Sequence, residues 1–106
     1  MDATHGPFIS TARLDNEVVI RVRGDLDFAA TPRFVEAVES VMDDTTPVYL
    51  MDCKDVTFID SESLKAILLI RKKLSQSSQV FRLRNCSKPV VRIIKLLGLE
   101  EDLCKA

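Results

Sequence analysis

Apolar and polar residues alternate along the first part of the chain. The segments FISTARL, residues 8–14, and VVIRVRG, residues 18–24, flank the polar triplet DNE. This pattern predicts two antiparallel strands joined by a tight turn. In the second strand, apolar positions 18, 20 and 22 alternate with positions 19, 21 and 23, two of which are arginines, so one strand face is apolar. Gly24 is predicted to end that strand.

Beyond residue 24, segments whose apolar residues recur with the period of a helix alternate with short apolar runs. Thr31 is predicted to cap a first helix that has Pro32 at its first position and runs to about Met42. Two further helices are predicted from about Ser61 to Leu74 and over SKPVVRIIKLLG, residues 87–98. The runs VYLMDC, residues 48–53, and VFRLRN, residues 80–85, are predicted strands, and KDVTF, residues 54–58, a loop or short connector. The segment LEEDL after the third helix is predicted to add a final turn.

The predicted order is therefore β-β-α-β-α-β-α. Strands that alternate with helices pair in parallel through right-handed crossovers, and the opening hairpin adds an antiparallel edge. The expected fold is α/β, with one mixed four- to five-stranded sheet, an antiparallel N-terminal hairpin and three main helices. We expect residues 1–7 to form a flexible leader and residues 8–106 to form one domain.

Composition narrows the classes of function. The chain has 106 residues, of which 46% are hydrophobic and 29% charged, and its formal net charge is −1. Without a basic excess, direct binding to nucleic acid is not expected. The apolar run Ala66–Ile70 is too short to cross a bilayer, and the N-terminus lacks the pattern of a signal peptide. These features predict a cytoplasmic protein that does not bind a membrane.

Cysteine and histidine spacing gives no sign of a metal or another cofactor. Cys53, Cys86 and Cys104 are widely spaced and form no CxxC motif. We expect all three to be reduced thiols with no required disulfide. The only histidine is His5, and no Gly-x-Ser-x-Gly elbow is present, so an enzyme with a serine nucleophile at Ser61 is not expected.

Three loops follow the predicted parallel strands and should meet at one edge of the sheet. They are GDLD, residues 24–27, FIDSES, residues 58–63, and NCSKP, residues 85–89. The middle loop opens directly into a helix, whose free N–H groups and dipole would stabilise a phosphate on Ser61. Its Ser, Asp and Glu residues are also typical of simple helix capping, which is the alternative interpretation.

Three segments, taken together, resemble the STAS domain of the bacterial anti-sigma factor antagonist family. They are VVIRVRGDLDFAATPRF, VYLMDCKDVTFIDSESLKAIL and KPVVRIIKLLGLEEDL, and the similarity extends over residues 8–103. The resemblance implies that Ser61 is the serine phosphorylated by an anti-sigma factor kinase, with Ser63 as the alternative acceptor. It also implies that Asp27, Asp60, Ser61, Glu62 and Ser63 form the partner-binding surface. The chain departs from the family motif at Glu62, usually a small residue, and at Ser63, usually glycine.

The implied function is regulation of sigma-factor-dependent transcription through a binding switch. Unphosphorylated, the protein would bind a kinase-type anti-sigma factor; phosphorylation at Ser61 would release it, and a serine phosphatase would reset it. The expected protein is a monomer or weak dimer and is not an enzyme. The alternative is a STAS subunit or adaptor of a transporter or signalling assembly that is not phosphorylated, which the departures at Glu62 and Ser63 keep open.

Overall fold

The computed structural model describes residues 6–99 and Leu103. Four strands and three helices follow one another in the order that the sequence predicts. Their bounds are β1 (Phe8–Leu14), β2 (Glu17–Leu26), α1 (Thr31–Glu39), β3 (Val48–Ile59), α2 (Ser61–Ser75), β4 (Val80–Arg84) and α3 (Lys88–Leu96).

The four strands form one mixed sheet in the order β1-β2-β3-β4. Strand β1 is antiparallel to β2, and the turn between them holds Asp15 at a φ of 54°. Strands β2, β3 and β4 are parallel, with α1 and α2 as their crossovers. The predicted α/β class, antiparallel hairpin and three helices are therefore confirmed, with four strands.

The core lies between one face of the sheet and all three helices. Alternation places every second residue of β2, β3 and β4 on that face. The sheet contributes Val18, Ile20, Val22, Tyr49, Met51, Cys53, Phe81 and Leu83, and the helices contribute Phe34, Val38, Leu64, Ile67, Leu74, Val90 and Ile94. Because each helix buries residues in this one cluster, the helix starts are held at fixed positions relative to the strand ends.

Two strands are longer than the sequence predicts. Strand β2 continues beyond Gly24 to Leu26, and β3 continues through the expected loop to Ile59. The pairing of these two strands shifts register between Arg21 and Arg23 and again between Gly24 and Asp25. Bulges of this kind break the two-residue alternation, so the sequence pattern in this part of β3 does not read as a strand.

The helix ends also differ from prediction by a few residues. Ala30 precedes α1 without a side-chain cap, Thr31 is its first residue, and the helix stops at Glu39 rather than Met42. Helix α3 spans Lys88–Leu96, and Gly98 adopts a φ of +68° just beyond it, as expected of a glycine that terminates a helix. The predicted final turn lies largely outside the described residues.

The cysteines do not all follow the expected pattern. Cys53 is a free, fully buried thiol, and burial, with a smaller effect of Asp52, raises its pKa to about 12. Cys86 is disulfide-bonded, so the expectation of three reduced thiols is wrong. Sequence spacing carries no information on which distant segments the fold brings together. Cys104 lies outside the described residues.

At the N-terminus, the structure describes only the last two residues of the predicted leader. Pro7 is buried, and its carbonyl oxygen accepts a hydrogen bond from the Arg33 guanidinium of α1. Within the part of the chain that the structure describes, no helix combines the length and apolarity needed to cross a bilayer.

Candidate functional site

The predicted site residues lie where β2 and β3 end beside each other. Leu26 and Ile59 are paired in the parallel register, and Asp27 and Asp60 directly follow them. The carboxyl ends of parallel strands meet at one sheet edge, which is where sites usually form in such folds. The structure thus brings the first two predicted loops together.

Asp60 holds both loops through its carboxylate. Its Oδ1 atom accepts a hydrogen bond from the Ser63 N–H at 2.9 Å, which caps α2. Its Oδ2 atom accepts from the Phe28 N–H at 2.8 Å, across to the loop that follows β2. An extended backbone, with φ −107° and ψ 176°, allows Asp60 to act as the cap. One side chain therefore fixes the α2 start against the 27–30 loop.

Ser61 is the first residue of α2 and is exposed to solvent. The first turn of a helix has backbone N–H groups without intrahelical partners, and its dipole favours negative charge. A phosphate on the Ser61 hydroxyl would therefore meet a favourable backbone field, although Asp60 and Glu62 flank it. The geometry makes this hydroxyl accessible to another protein.

Ser63 has a different environment, because it is fully buried. Its Oγ atom lies 2.9 Å from Thr31 Oγ1, and the Thr31 hydroxyl is 3.1 Å from the Asp27 carbonyl oxygen to which it donates. Since the Thr31 proton is used in that bond, the Ser63 hydroxyl is the donor to Thr31. Ser63 thus joins the starts of α1 and α2 and is not part of the surface.

Asp27 shapes the start of α1. Its Oδ1 accepts from the Ala30 N–H at 3.1 Å, and its carbonyl oxygen accepts from the N–H groups of Ala30 and Thr31 at 3.0 and 3.1 Å. Its side chain is half-buried. These bonds explain how α1 begins at Thr31 without a cap from Ala30, and they hold the 27–31 segment in a tight turn.

Glu62 is exposed on the outer face of α2. Its carboxylate pairs with Lys65 Nζ at 3.2 Å, and both side chains are more than half exposed. Ion pairs of this kind contribute about 0–1 kcal/mol to stability because water screens them. Glu62 is therefore available to a partner at little cost to the fold.

Two residues of the site were missed by sequence reasoning, Phe28 and Thr31. Phe28 is 70% exposed, and it stands immediately after Asp27. Its signal in the sequence is an aromatic residue within the polar loop GDLDFAAT. Thr31 was expected to cap a helix, but its hydroxyl instead bonds Asp27 and Ser63.

The third predicted loop, residues 85–89, forms hydrogen bonds to β3 rather than to the residues of the site. The Ser87 hydroxyl donates to the Val56 carbonyl oxygen at 2.7 Å, and Asn85 Nδ2 lies 3.5 Å from Asp52 Oδ1. Burial raises the pKa of Asp52, but hydrogen bonds from the Lys54 N–H and Asn85, with nearby arginines, lower it below its usual range overall. This loop anchors α3 to the sheet.

An open depression adjoins the site, and the described residues contain no candidate metal-binding group. Over residues 6–99 and Leu103, no group of three or more acidic, histidine or cysteine side chains could hold a metal ion. Beside Asp27 lies an open depression of about 270 Å³ lined by Gly6, Ala29, Ala30 and Arg33.

Comparison with known proteins identifies the family to which this fold belongs. A family model described as the STAS domain matches residues 8–105. The chain belongs to the STAS domain family. A STAS-domain containing protein of Pseudomonas aeruginosa strain UCBPP-PA14 is 33% identical over 86 residues, which cover 80% of this chain and 83% of that protein.

Solved structures share the fold of this STAS domain. An anti-sigma factor antagonist from Mycobacterium paratuberculosis is 25% identical, with a TM-score of 0.78 over 92% of this chain and 83% of that one. The Bacillus cell fate determinant SpoIIAA in its phosphorylated form is 19% identical, with a TM-score of 0.70 over 87% and 85%. A sulfate transporter family protein from Wolinella succinogenes is 18% identical, with a TM-score of 0.69 over 83% and 71%.

Proposed function

We propose that this STAS domain is an anti-sigma factor antagonist controlled by phosphorylation of Ser61. Unphosphorylated, it binds a kinase-type anti-sigma factor and so frees a sigma factor; phosphorylated, it is released. The observation that carries the proposal is an exposed serine on the first turn of α2, directly after Asp60, whose carboxylate accepts a hydrogen bond from the Phe28 N–H of the neighbouring loop. The likeness to an anti-sigma factor antagonist at 25% identity supports the same role.

The choice of Ser61 over Ser63 rests on accessibility. A kinase must bring the acceptor oxygen to within about 3–3.5 Å of the transferred phosphoryl group. Ser61 is exposed, whereas Ser63 is fully buried and donates its proton to Thr31. The proposed partner surface therefore consists of Asp27, Asp60, Ser61 and Glu62, with Ser63 beneath it.

Release follows from charge. Phosphorylation adds about −1.5 to −2 charges at neutral pH. Phosphoryl transfer requires the nucleotide phosphates of a kinase-type partner to face Ser61, so a phosphoserine that rebinds meets like charges there. Asp60 and Glu62 add to this repulsion. Like charges brought together at a desolvated interface cost several kcal/mol, which is enough to dissociate a moderate complex.

The wider scheme assigns the chain a binding role and no catalysis of its own. A serine phosphatase returns the protein to its binding-competent form. The proposal places the protein in the cytoplasm, where transcription takes place, as a monomer or weak dimer. Direct contact with nucleic acid has no part in it, in keeping with a net charge of −1.

The test is incubation with the purified anti-sigma serine kinase of the same genome and ATP, followed by mapping of the phosphate by mass spectrometry. Wild type and Ser63→Ala should be labelled on Ser61, and Ser61→Ala should not be labelled yet should still bind. Ser61→Asp should bind poorly, as a partial mimic of the phosphate charge. Label on Ser63 alone would refute the assignment of the acceptor.

A second candidate is a subunit or adaptor of a transporter or signalling assembly. This candidate is supported by the fold that the chain shares with a sulfate transporter family protein. It is also supported by Glu62 and Ser63, at which the chain differs from the motif of the anti-sigma factor antagonists. Failure of every anti-sigma kinase of the genome to bind or label the protein, with stable copurification with a transporter, would support this candidate over the first.

A further inference from the structure

An exposed aromatic residue, Phe28, directly follows Asp27 of the proposed partner surface. Phe28 is 70% exposed, more than any other of the five phenylalanines in the chain. It lies between Leu26 and Ala30, both of which are buried. Its backbone N–H is bonded to the carboxylate of Asp60, the residue before Ser61.

The backbone that carries Phe28 is fixed before any partner arrives. Besides the 2.8 Å bond to Asp60, the turn is closed by the Ala30 N–H, which donates to the Asp27 carbonyl oxygen at 3.0 Å. A backbone that is held in place in advance lowers the entropy cost of binding, and aromatic residues, phenylalanine among them, are enriched at protein interfaces. The Phe28 backbone is held in this way, and its side chain is aromatic.

The charges carried by the two loop segments at the site have one sign, and Arg33, which lines the depression beside Asp27, is bonded to the Pro7 carbonyl oxygen. The two segments that form the site, residues 24–31 and 56–64, contain the carboxylates Asp25, Asp27, Asp60 and Glu62 and no lysine or arginine. The carboxylate of Asp25 accepts a hydrogen bond from Thr57 at 2.6 Å, which holds it at the strand ends. An apolar side chain with an acidic border is complementary to an apolar recess with a basic border.

We propose that Phe28 is the apolar anchor of the complex with the anti-sigma factor, and that Asp60 is the positioning residue that holds it outward. The partner carries an apolar recess that is bordered by lysine or arginine side chains where it faces Asp25 and Asp27, while its nucleotide phosphates face Ser61. This inference rests on the proposed function and specifies what the partner recognises there. Ser61 then supplies the switch, while Phe28 supplies affinity.

The experiment measures binding of the purified anti-sigma serine kinase by calorimetry, together with the kinetics of Ser61 phosphorylation. Phe28→Ala should raise Kd by roughly tenfold or more, as truncation of an interface anchor does, and leave the melting temperature unchanged. KM for the protein substrate should rise in parallel with unchanged kcat, because the contact is made equally before and during phosphoryl transfer. Phe28→Tyr should retain affinity within about threefold, since the ring is preserved.

The matched control is Leu14→Ala, because Leu14 is 57% exposed at the hairpin end of the sheet, opposite the site. It should bind as wild type does. Asp60→Asn should also weaken binding, since an amide has one oxygen to accept from Phe28 and Ser63 where the carboxylate has two.

The outcomes separate this inference from the proposed function. If wild type binds and is labelled on Ser61 while Phe28→Ala binds equally well, the anchor is refuted and the switch stands. Equal weakening by Leu14→Ala would also refute the anchor, because exposed apolar area alone would then explain the loss. If wild type is neither bound nor labelled by any anti-sigma kinase, both proposals fail.

Discussion

At the scale of single residues, Ser63 shows how one hydroxyl ties two helices together. It is fully buried, and its proton goes to Thr31, whose own proton goes to the Asp27 carbonyl oxygen. The STAS motif, by resemblance, usually has glycine at this position. In this chain the side chain fills the space between α1 and α2 and satisfies its own hydrogen-bonding needs there.

Removing that hydroxyl should weaken the fold. Ser63→Ala deletes the donor to Thr31, and a hydrogen bond of this kind contributes about 0.5–1.5 kcal/mol. Urea unfolding should therefore show a free energy of unfolding lower by about 1 kcal/mol. The control is Ser61→Ala two residues away, where an exposed position should change stability by less than about 0.5 kcal/mol. Equal stability of the two variants would contradict the role given to Ser63.

Cys53 should be chemically silent in the folded protein. Burial, with a smaller contribution from Asp52, raises its pKa to about 12, so at pH 8 the reactive thiolate is scarcely populated. An aromatic disulfide reagent at pH 8, with labels mapped by mass spectrometry, should modify Cys53 only after denaturant is added. Rapid labelling of Cys53 in native buffer would show that β3 opens at this point.

At the scale of elements, the start of α2 and the 27–30 loop behave as one unit because both depend on Asp60. One carboxylate oxygen caps the helix and the other holds the Phe28 N–H. The mixed sheet makes this possible, since parallel pairing of β2 and β3 delivers the two strand ends to the same place. The accessible serine is thus displayed on a helix whose position is fixed from a neighbouring loop.

Substitutions at Asp60 should weaken the connection between the start of α2 and the 27–30 loop and so lower stability. Asp60→Ala removes both acceptors and should lower the free energy of unfolding by about 2 kcal/mol, the upper range for loss of a helix cap. Asp60→Asn keeps one acceptor oxygen, so its cost should be about half as large. Urea unfolding measures both, and the m-value should stay constant if only stability changes.

The control for Asp60 is Asp44→Asn, at an exposed residue of the α1–β3 connection. Its free energy of unfolding should match wild type. If Asp60→Asn were equally silent, the two hydrogen bonds of the Asp60 carboxylate would not be what fixes the α2 start.

At the scale of the whole molecule, stability should depend on pH through carboxylates far from the site. N–H groups of Thr46 and Thr45 hold the pKa of Asp43 well below its usual range. A lowered pKa means that the folded state binds the proton less tightly than the unfolded state. The stabilisation is therefore present in full above the unfolded value, near 3.8, and is lost as the pH falls toward the folded value.

Asp43→Asn should accordingly reduce the amount of stability that the protein loses in acid. Melting temperatures recorded between pH 7 and pH 2 should fall less steeply below pH 4 for the variant than for wild type. Asp52, whose pKa is also lowered, retains its own contribution in both proteins. A variant curve parallel to that of wild type throughout would show that Asp43 does not contribute to the acid sensitivity.

The order of elements, the hairpin, the parallel pairing and the identity of the loops that carry Asp27 and Asp60 can all be predicted from the sequence. These follow from local periodicity and from the rule that crossover connections give parallel strands. The resemblance to STAS domains, likewise readable from residues 8–103, is confirmed by the family match. The role of Ser61 in phosphorylation stays a prediction.

Which side chains face outward, and which distant ones meet, depends on how the elements pack in three dimensions. The second half of β3 was not predicted as a strand because of the bulges between β2 and β3. An inserted residue reverses the alternation of apolar and polar positions on which the prediction relies. Burial of Ser63 and exposure of Phe28 depend on how α1 packs against α2, and no local pattern encodes that contact. The disulfide at Cys86 was missed for the same reason, since sequence separation does not fix distance in space.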